Sequence, residues 1–369
     1  MKKILVLNYE FPPLGGGAGN ATFYLLKEFA KMPDLEIDLV TSSVSKFRVE
    51  KLSPNITVHY LDIKKSGDLH YQSDKNLLIY SWKAYRYCRA LMKIKHFDLV
   101  HAFFGVPCGY IAMKLGLPYI VSLRGSDVPF YNKRFYWLDK LVFKNLSKKI
   151  WRKAKAVIVN SQGLKELANT SIPDQKIDII HNGVDIEEFR PAEKKEKHEK
   201  IQLVSTGRLI KRKGYDYLIK AINGLDQYEL TLIGNGPEKE TLAELARESS
   251  VNVNFIGGIG HQEIPKYLQK ADIFILPSLN EGMSNSILEA MACGLSIITT
   301  DTGGSDELVG DNGFIAQKAS TLSLREILKK YINDPKLVGK QSKSSRQRAE
   351  AMSWGSVAID YQKTYYTKV

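Results

Sequence analysis

The stretch Glu281-Gly-Met-Ser-Asn-Ser-Ile-Leu-Glu289, followed by Ala290-Met-Ala-Cys-Gly294, puts two carboxylates, a turn and a helix start in one short segment. Before it runs Ala271-Asp-Ile-Phe-Ile-Leu-Pro-Ser278, an apolar run of strand length that Pro277 closes, so Glu281 sits on the loop after a strand. Ser284 or Asn285 is a natural N-cap, Ile287, Leu288 and Met291 form a stripe for burial, and Gly294 supplies a left-handed stop. Helical side chains lean toward the N-terminus, which turns Glu289 toward the crevice that Glu281 faces. Backbone N–H groups from Gly282 through Met283, Ser284 and Asn285 to Ser286 offer a seat for a phosphate. Taken alone, two glutamates at this spacing read most often as solvated surface charges, so the rest of the chain has to decide.

The chain has 369 residues, 44% of them hydrophobic, which is enough for two cores. No apolar run approaches the roughly 20 residues of a membrane span. The opening Met1-Lys-Lys-Ile-Leu-Val-Leu-Asn8 is too short for a signal peptide and meets Tyr9-Glu-Phe-Pro-Pro13, so it reads as a first strand of a cytoplasmic protein. Cys88, Cys108 and Cys293 have no metal spacing and read as buried thiols in a reducing compartment. The net charge of +13 is uneven: residues 1–180 hold 28 of the 53 basic residues and only 15 of the 40 acidic ones. Such a field favours an anionic partner, either a phosphorylated substrate or a membrane surface.

From the start, a strand over Ile4–Asn8, the run Gly15-Gly16-Gly17-Ala-Gly19 and a helical pattern over Ala21–Lys31 give strand, glycine turn and helix. The glycines do not spell the dinucleotide fingerprint, and no acidic residue closes the next strand, Ile37–Thr41, which argues against nicotinamide binding. Strands at Thr57–Leu61, Leu99–Phe103, Tyr119–Leu123 and Ala156–Asn160, with helices near 74–95, 107–115 and 136–153, imply a parallel sheet covered on both faces. Ligands sit at the carboxyl ends of such strands, which singles out His101 and Arg124-Gly-Ser-Asp127. His101 reads also as a core histidine; Arg124 cannot be a base, but its planar fork can hold a phosphate or a sugar carboxylate.

Two basic stretches, Ser81–Arg89 and Lys133–Lys155, locate much of the excess charge. The second interleaves Phe135, Tyr136, Trp137, Leu141, Val142, Phe143, Ile150 and Trp151 with cations, and suits either an anionic leaflet or a packed helix with a solvated cationic face. No nucleic-acid motif accompanies it. Pro191–Lys200 is almost wholly charged and marks a boundary, after which Ile201–Thr206, Gly207-Arg208 and Lys213-Gly214 repeat the strand, turn and helix pattern. Arg208 at a strand end and Lys213 at the next turn are placed to neutralise a diphosphate.

Pro277-Ser278, Glu281-Gly282, Glu289-Ala290-Met291-Ala292 and Gly294 together resemble the Glu-x7-Glu signature of the retaining GT-B glycosyltransferases of family 4. The resemblance covers nearly the whole chain, by motif in the C-terminal half and by architecture in the N-terminal half. It implies an α/β, GT-B fold: two Rossmann-like domains facing each other across a deep cleft, with the last helix crossing back to the N-terminal domain. Residues 1–180, completed by about 355–369, would bind the acceptor, 181–200 would link, and 201–354 would bind the donor. It further implies that Gly15, Gly16 and Gly17 approach the donor phosphates or the acceptor, and that Gly207, Arg208 and Lys213 bind the pyrophosphate. Glu289 would hold the ribose and Glu281 the sugar hydroxyls. Gly282, Met283, Ser284 and Asn285 would line the sugar pocket, and Gly257 with the segment through His261 would meet the base. Many relatives carry a donor-sugar histidine where Arg124 stands. The implied reaction moves a sugar from a UDP- or GDP-sugar to a hydroxyl of a saccharide or lipid-linked saccharide in surface glycan assembly, such as lipopolysaccharide or capsule, with no cofactor and no divalent metal. Front-face attack fits better than a covalent intermediate on Glu281, since no second carboxylate is placed as an acid. A nucleotide-sugar epimerase on the same fold and a non-catalytic, membrane-docked nucleotide-sugar-binding subunit are the alternatives.

Overall fold

Runs such as Lys3-Ile-Leu-Val-Leu7 and Asp272-Ile-Phe-Ile-Leu276 carry too many consecutive apolar side chains for a sheet with one wet face, and both lie in the middle of largely parallel sheets. The structure, a computed structural model, describes residues 1–65, 73–131, 136–194 and 198–368. The chain divides into two compact units, one of Met1–Asn182 with Trp354–Val369 and one of Gly183–Ser353. Of the stretch expected as a linker, 181–200, His181 and Asn182 belong to the first unit, the chain from Gly183 to the second, and 195–197 lie outside the described residues.

The first unit holds β1 (Lys2–Leu7), β2 (Leu35–Ser43), β3 (Arg48–Ser53), β4 (Ile56–Asp62), β5 (Leu99–Phe103), β6 (Tyr119–Ser122), β7 (Ala156–Val159) and β8 (Asp178–Ile179). They form one sheet in the order β3-β4-β2-β1-β5-β6-β7-β8, with neighbours parallel except β3 against β4. The antiparallel edge strand β3 was not legible in the sequence, because Arg48-Val-Glu-Lys-Leu-Ser53 carries no clean apolar face. Helix Asp74–Ile94 starts on a Ser73 cap that accepts the Asn76 N–H and buries Tyr80, Ala84, Cys88 and Leu91 at helical spacing. The last helix, Trp354–Thr367, completes this unit: Trp354 stacks on Tyr24 with ring centroids 6.2 Å apart, and Tyr361 and Tyr365 are buried in the core. The aromatic and basic stretch splits in two. Ile150 and Trp151 enter the core, whereas Tyr136, Trp137, Leu138, Leu141 and Val142 are exposed; Lys133 and Phe135 lie outside the described residues.

The second unit holds β9 (Ile201–Thr206), β10 (Tyr228–Ile233), β11 (Val253–Gly257), β12 (Ile273–Leu276), β13 (Ser296–Thr300) and β14 (Gly313–Ala316). Their order is β11-β10-β9-β12-β13-β14, all parallel, which is the doubly wound Rossmann arrangement. The chain winds outward from β9 on one side and from β12 on the other. That reversal opens a crevice at the carboxyl ends of these two strands, and it sets the place of the site. Among the described residues no helix is long and apolar enough to cross a membrane.

Candidate functional site

Both switch-point strands feed short loops that lie against each other. After β9 the chain passes Gly207 and Arg208 into a turn at Lys211–Lys213; after β12 it passes Pro277 through Ser284 into helix Asn285–Ala292. The loops are joined backbone to backbone. The Leu279 N–H donates to the Arg212 carbonyl at 2.8 Å, and the Arg212 guanidinium donates to the Asn280 carbonyl at 3.0 Å. Gly214 has φ +65°, and a Cβ there would stand 2.2 Å from the Pro277 carbonyl oxygen, so the approach of the two loops requires glycine. Gly207, Gly234 and Gly257 follow or end three neighbouring strands, and a Cβ at Gly234 would stand 1.9 Å from the Gly207 carbonyl. At Gly207 the added Cβ would also press on the Tyr215 hydroxyl at 3.0 Å and the Lys213 side chain at 3.3 Å.

On this frame Lys213 Nζ meets Glu281 Oε1 at 2.7 Å, with only 12% and 14% of the two side chains exposed. The Ser278 hydroxyl donates to the same carboxylate oxygen at 2.8 Å, and the Ser278 carbonyl is in turn held by the Thr300 hydroxyl. Burial works to raise the Glu281 pKa. The charges of Lys213 and Arg212, with the Lys213 and Ser278 hydrogen bonds, outweigh it and hold the carboxyl below its usual range. Arg208 is exposed at the crevice rim. Met283 and Ser284 are buried, Gly282 and Asn285 half-buried. Ser284 sits at the N-cap position in extended conformation, but its hydroxyl turns to Ser286 Oγ at 2.9 Å instead of capping. Gly294, at φ +72°, stops the chain beyond this helix as expected.

Glu289, one turn before the helix end, has a partner that the sequence reading did not supply. His261 Nε2 lies 2.9 Å from Glu289 Oε1, and His261 Nδ1 lies 4.0 Å from Glu188 Oε1, with the ring edge-on to Phe189. Burial disfavours the imidazolium, yet the hydrogen bond and charge of Glu289, helped by Glu188, leave the His261 pKa above its usual value. No spacing rule marks this contact, which spans 28 residues and depends on how the loop after β11 folds over the helix.

The first unit holds the remaining predicted residues, with one departure. His101 is wholly buried in β5, its Nδ1 at 2.7 Å from the Tyr365 hydroxyl and its Nε2 at 2.8 Å from Ser122 Oγ. Burial and the nearby Arg124 charge depress its pKa well below the usual histidine value. The donor-contact expectation for His101 is therefore corrected: it is a neutral core residue with both ring nitrogens engaged. At the glycine turn, the Gly16 N–H donates to Glu10 Oε2 at 3.3 Å and Gly15 adopts φ +92° against the Glu10 side chain. Gly17 begins helix Gly17–Phe29. The Glu10 carboxylate therefore lies against the glycine turn. Arg124 donates to Asn182 Oδ1 at 2.9 Å and lies over the Phe103 ring, while its buried Nε has no partner among the described residues. Asp127, missed by sequence reasoning as a positioning group, accepts the N–H groups of Arg124, Gly125 and Gly105 at 2.9, 3.0 and 2.6 Å and so fixes the Arg124 loop.

Two family models match in tandem, Glycosyltransferase Family 4 over residues 15–188 and Glycosyl transferases group 1 over residues 185–348. The chain belongs to the group 1/family 4 glycosyltransferases. A Campylobacter jejuni relative, N-acetylgalactosamine-N,N'-diacetylbacillosaminyl-diphospho-undecaprenol 4-alpha-N-acetylgalactosaminyltransferase, is 26% identical over 376 residues, covering 98% of this chain and 99% of that one. Among solved structures, sucrose-phosphate synthase from Thermosynechococcus elongatus superposes with a TM-score of 0.85 at 20% identity, covering 99% of this chain and 98% of that one. Anabaena HepE in complex with UDP and glucose superposes with a TM-score of 0.77 at 20% identity over 100% of both chains. The fold is GT-B, and the protein is a glycosyltransferase.

Proposed function

We propose that this glycosyltransferase moves a sugar from a UDP- or GDP-sugar, with retention, to a hydroxyl of a saccharide or lipid-linked saccharide in surface glycan assembly. The observation that carries the reading is the Lys213–Glu281 pair at the carboxyl ends of the switch-point strands, with Arg208 free at the rim. Departure of the nucleoside diphosphate is the demanding step. Arg208, Lys213 and the N-terminus of helix Asn285–Ala292 supply the positive field that stabilises it, a preorganised role that needs no divalent cation. Glu281, immobilised by Lys213 and Ser278, accepts the donor-sugar hydroxyls. With no second carboxylate placed as an acid among the described residues, a front-face path is favoured: the bond from the anomeric carbon to the phosphate oxygen breaks, the acceptor oxygen bonds to the same face, and its proton passes to the leaving phosphate. Glu289, oriented by His261, holds the ribose hydroxyls. Support for a UDP donor comes from the UDP complex of HepE, and support for a lipid-linked acceptor from the diphospho-undecaprenol named for the Campylobacter relative.

A calorimetric and thermal-shift panel of UDP, GDP, ADP and their sugars, with and without EDTA, tests the donor site. Stabilisation by one nucleotide that survives EDTA and weakens in Glu289→Ala is expected; indifference to all of them would sink the reading. We further propose docking on the inner face of an anionic membrane through the exposed Tyr136, Trp137, Leu138, Leu141 and Val142, with Lys140, Lys144 and Lys148 around them. Trp137 and Leu141 are 68% and 69% exposed, unusual for large apolar side chains set side by side. Co-sedimentation with vesicles containing phosphatidylglycerol, weakened by salt and by joint Trp137→Ser and Leu141→Ser substitution, is the expected result.

A further inference from the structure

Away from the donor residues, the first unit carries a groove of about 550 Å³ lined by Phe47, Leu61, Asp62, Trp82, Lys83, Arg86 and Tyr87. Its volume lies within the range of roughly 300–1,000 Å³ in which small ligands bind. Leu61 and Asp62 end β4, and Phe47 precedes the antiparallel β3, so the groove opens at the carboxyl end of the sheet. β4 is two places from β1 in the sheet, which sets the groove about 10 Å along from the Glu10–Gly17 loop.

The walls are held by their own contacts. The Tyr87 hydroxyl lies 2.8 Å from His59 Nδ1, His59 Nε2 lies 2.8 Å from the buried Asp38, and Lys95 closes the chain on Asp38. This relay holds the Tyr87 ring, against which Phe47 packs at 5.5 Å. Lys83 Nζ is anchored on the Asp62 carbonyl at 2.6 Å, and the Arg86 guanidinium lies over the Trp82 ring at 4.8 Å. Phe47 and Trp82 nonetheless stay 51% and 58% exposed. Arg86 has no carboxylate partner among the described residues. The helix bearing Trp82, Lys83, Arg86 and Tyr87 has five basic residues, Lys75, Lys83, Arg86, Arg89 and Lys93, against the single acid Asp74.

We propose that this groove binds an acidic saccharide, a pyranose carrying a carboxylate or phosphate, as a subsite for the glycan on which the enzyme acts. The proposal rests on the saccharide-acceptor reading above and extends it. Aromatic faces carry partial negative charge and attract the C–H face of a pyranose, while Arg86 supplies a planar fork for a carboxylate or phosphate and Lys83 a point charge. The lining sets Phe47, Trp82 and Tyr87 among Asp62, Lys83 and Arg86, an interleaving of rings and polar groups that suits a charged sugar.

Titration of the full chain, saturated with its nucleotide, is the test. The probes are a tetrasaccharide alternating glucuronate and N-acetylglucosamine, its neutral N-acetylglucosamine counterpart, and vesicles of phosphatidylcholine with phosphatidylglycerol. One-to-one binding of the acidic tetrasaccharide is expected, at least tenfold tighter than the neutral one. Trp82→Ala and Arg86→Gln should each weaken it at least tenfold and leave nucleotide affinity and melting temperature unchanged. Equal binding of the two oligosaccharides, binding indifferent to both substitutions, or no binding overturns the proposal. So does loss of vesicle binding alone in these variants, which would give the surface to a membrane. Failure of the nucleotide to bind in the first place would instead strike the donor site.

Discussion

At the scale of single residues the donor-side site holds two carboxylates, Glu281 on Lys213 and Glu289 on His261, each fixed by a basic side chain. Lys213 and Glu281 form the tightest case, and their removal has different consequences. Glu281→Gln leaves Lys213 largely buried without its charge partner, an expected loss of about 1.5–3 kcal/mol in a urea titration, together with loss of transfer. Lys213→Ala removes the cation that meets the leaving diphosphate, and kcat should fall on the order of 10²–10³-fold. The double substitution should cost less stability than the two singles added, because each single strands the other partner. His261 gives a prediction in pH. Its folded pKa is raised, so its contribution to stability is complete below the unfolded value of about 6.5 and is lost as pH rises through the folded pKa. The urea midpoint of the nucleotide-free protein should therefore drop as pH rises from about 6 into the alkaline range, and His261→Gln should flatten that drop. Parallel profiles for the two proteins would show that the Glu289 contact is absent in solution.

At the scale of elements, the approach of the β9 and β12 loops depends on one glycine. Gly214→Ala forces a left-handed residue and a Cβ into the Pro277 carbonyl, so a loss of at least about 2 kcal/mol is expected, with the denaturant slope unchanged. The Ser278–Glu281 loop moves with Pro277, hence nucleotide affinity should fall as well. If affinity survives, the two loops are less coupled than their hydrogen bonds imply. The strands, the helix Asn285–Ala292 and its Gly294 stop were legible because each is written locally, as an apolar run, a cap residue and a left-handed glycine. The Lys213–Glu281 contact joins residues 68 apart, and only the reversal of strand order between β9 and β12 brings them together. His101 misled for the same reason. A histidine at a strand end looks poised for a ligand until Tyr365, 264 residues later, takes its Nδ1.

At the scale of the molecule, the chain leaves the first unit after Asn182 and returns to it at Trp354, so the first unit is completed only by residues 354–369. That return is built on an aromatic and polar cluster: Tyr365 on His101, Tyr361 within 3.2 Å of Ser122, and His101 on Ser122, all buried. Tyr365→Phe keeps the ring and removes one hydroxyl, leaving His101 Nδ1 buried without its partner; a cost of about 1–3 kcal/mol is expected. Truncation after Ser353 is more severe, since it removes Trp354, Val357, Ala358, Tyr361 and Tyr365 from the first core while leaving the buried residues of the second untouched. Calorimetry separates these effects. In the truncated chain the transition belonging to residues 1–182 should collapse or broaden, and the transition of residues 183–353 should persist and still rise with added nucleotide. Loss of both transitions together would mean that the two units fold as one cooperative body, and the Tyr365→Phe cost would then appear in the melting of the whole chain rather than of the first unit alone.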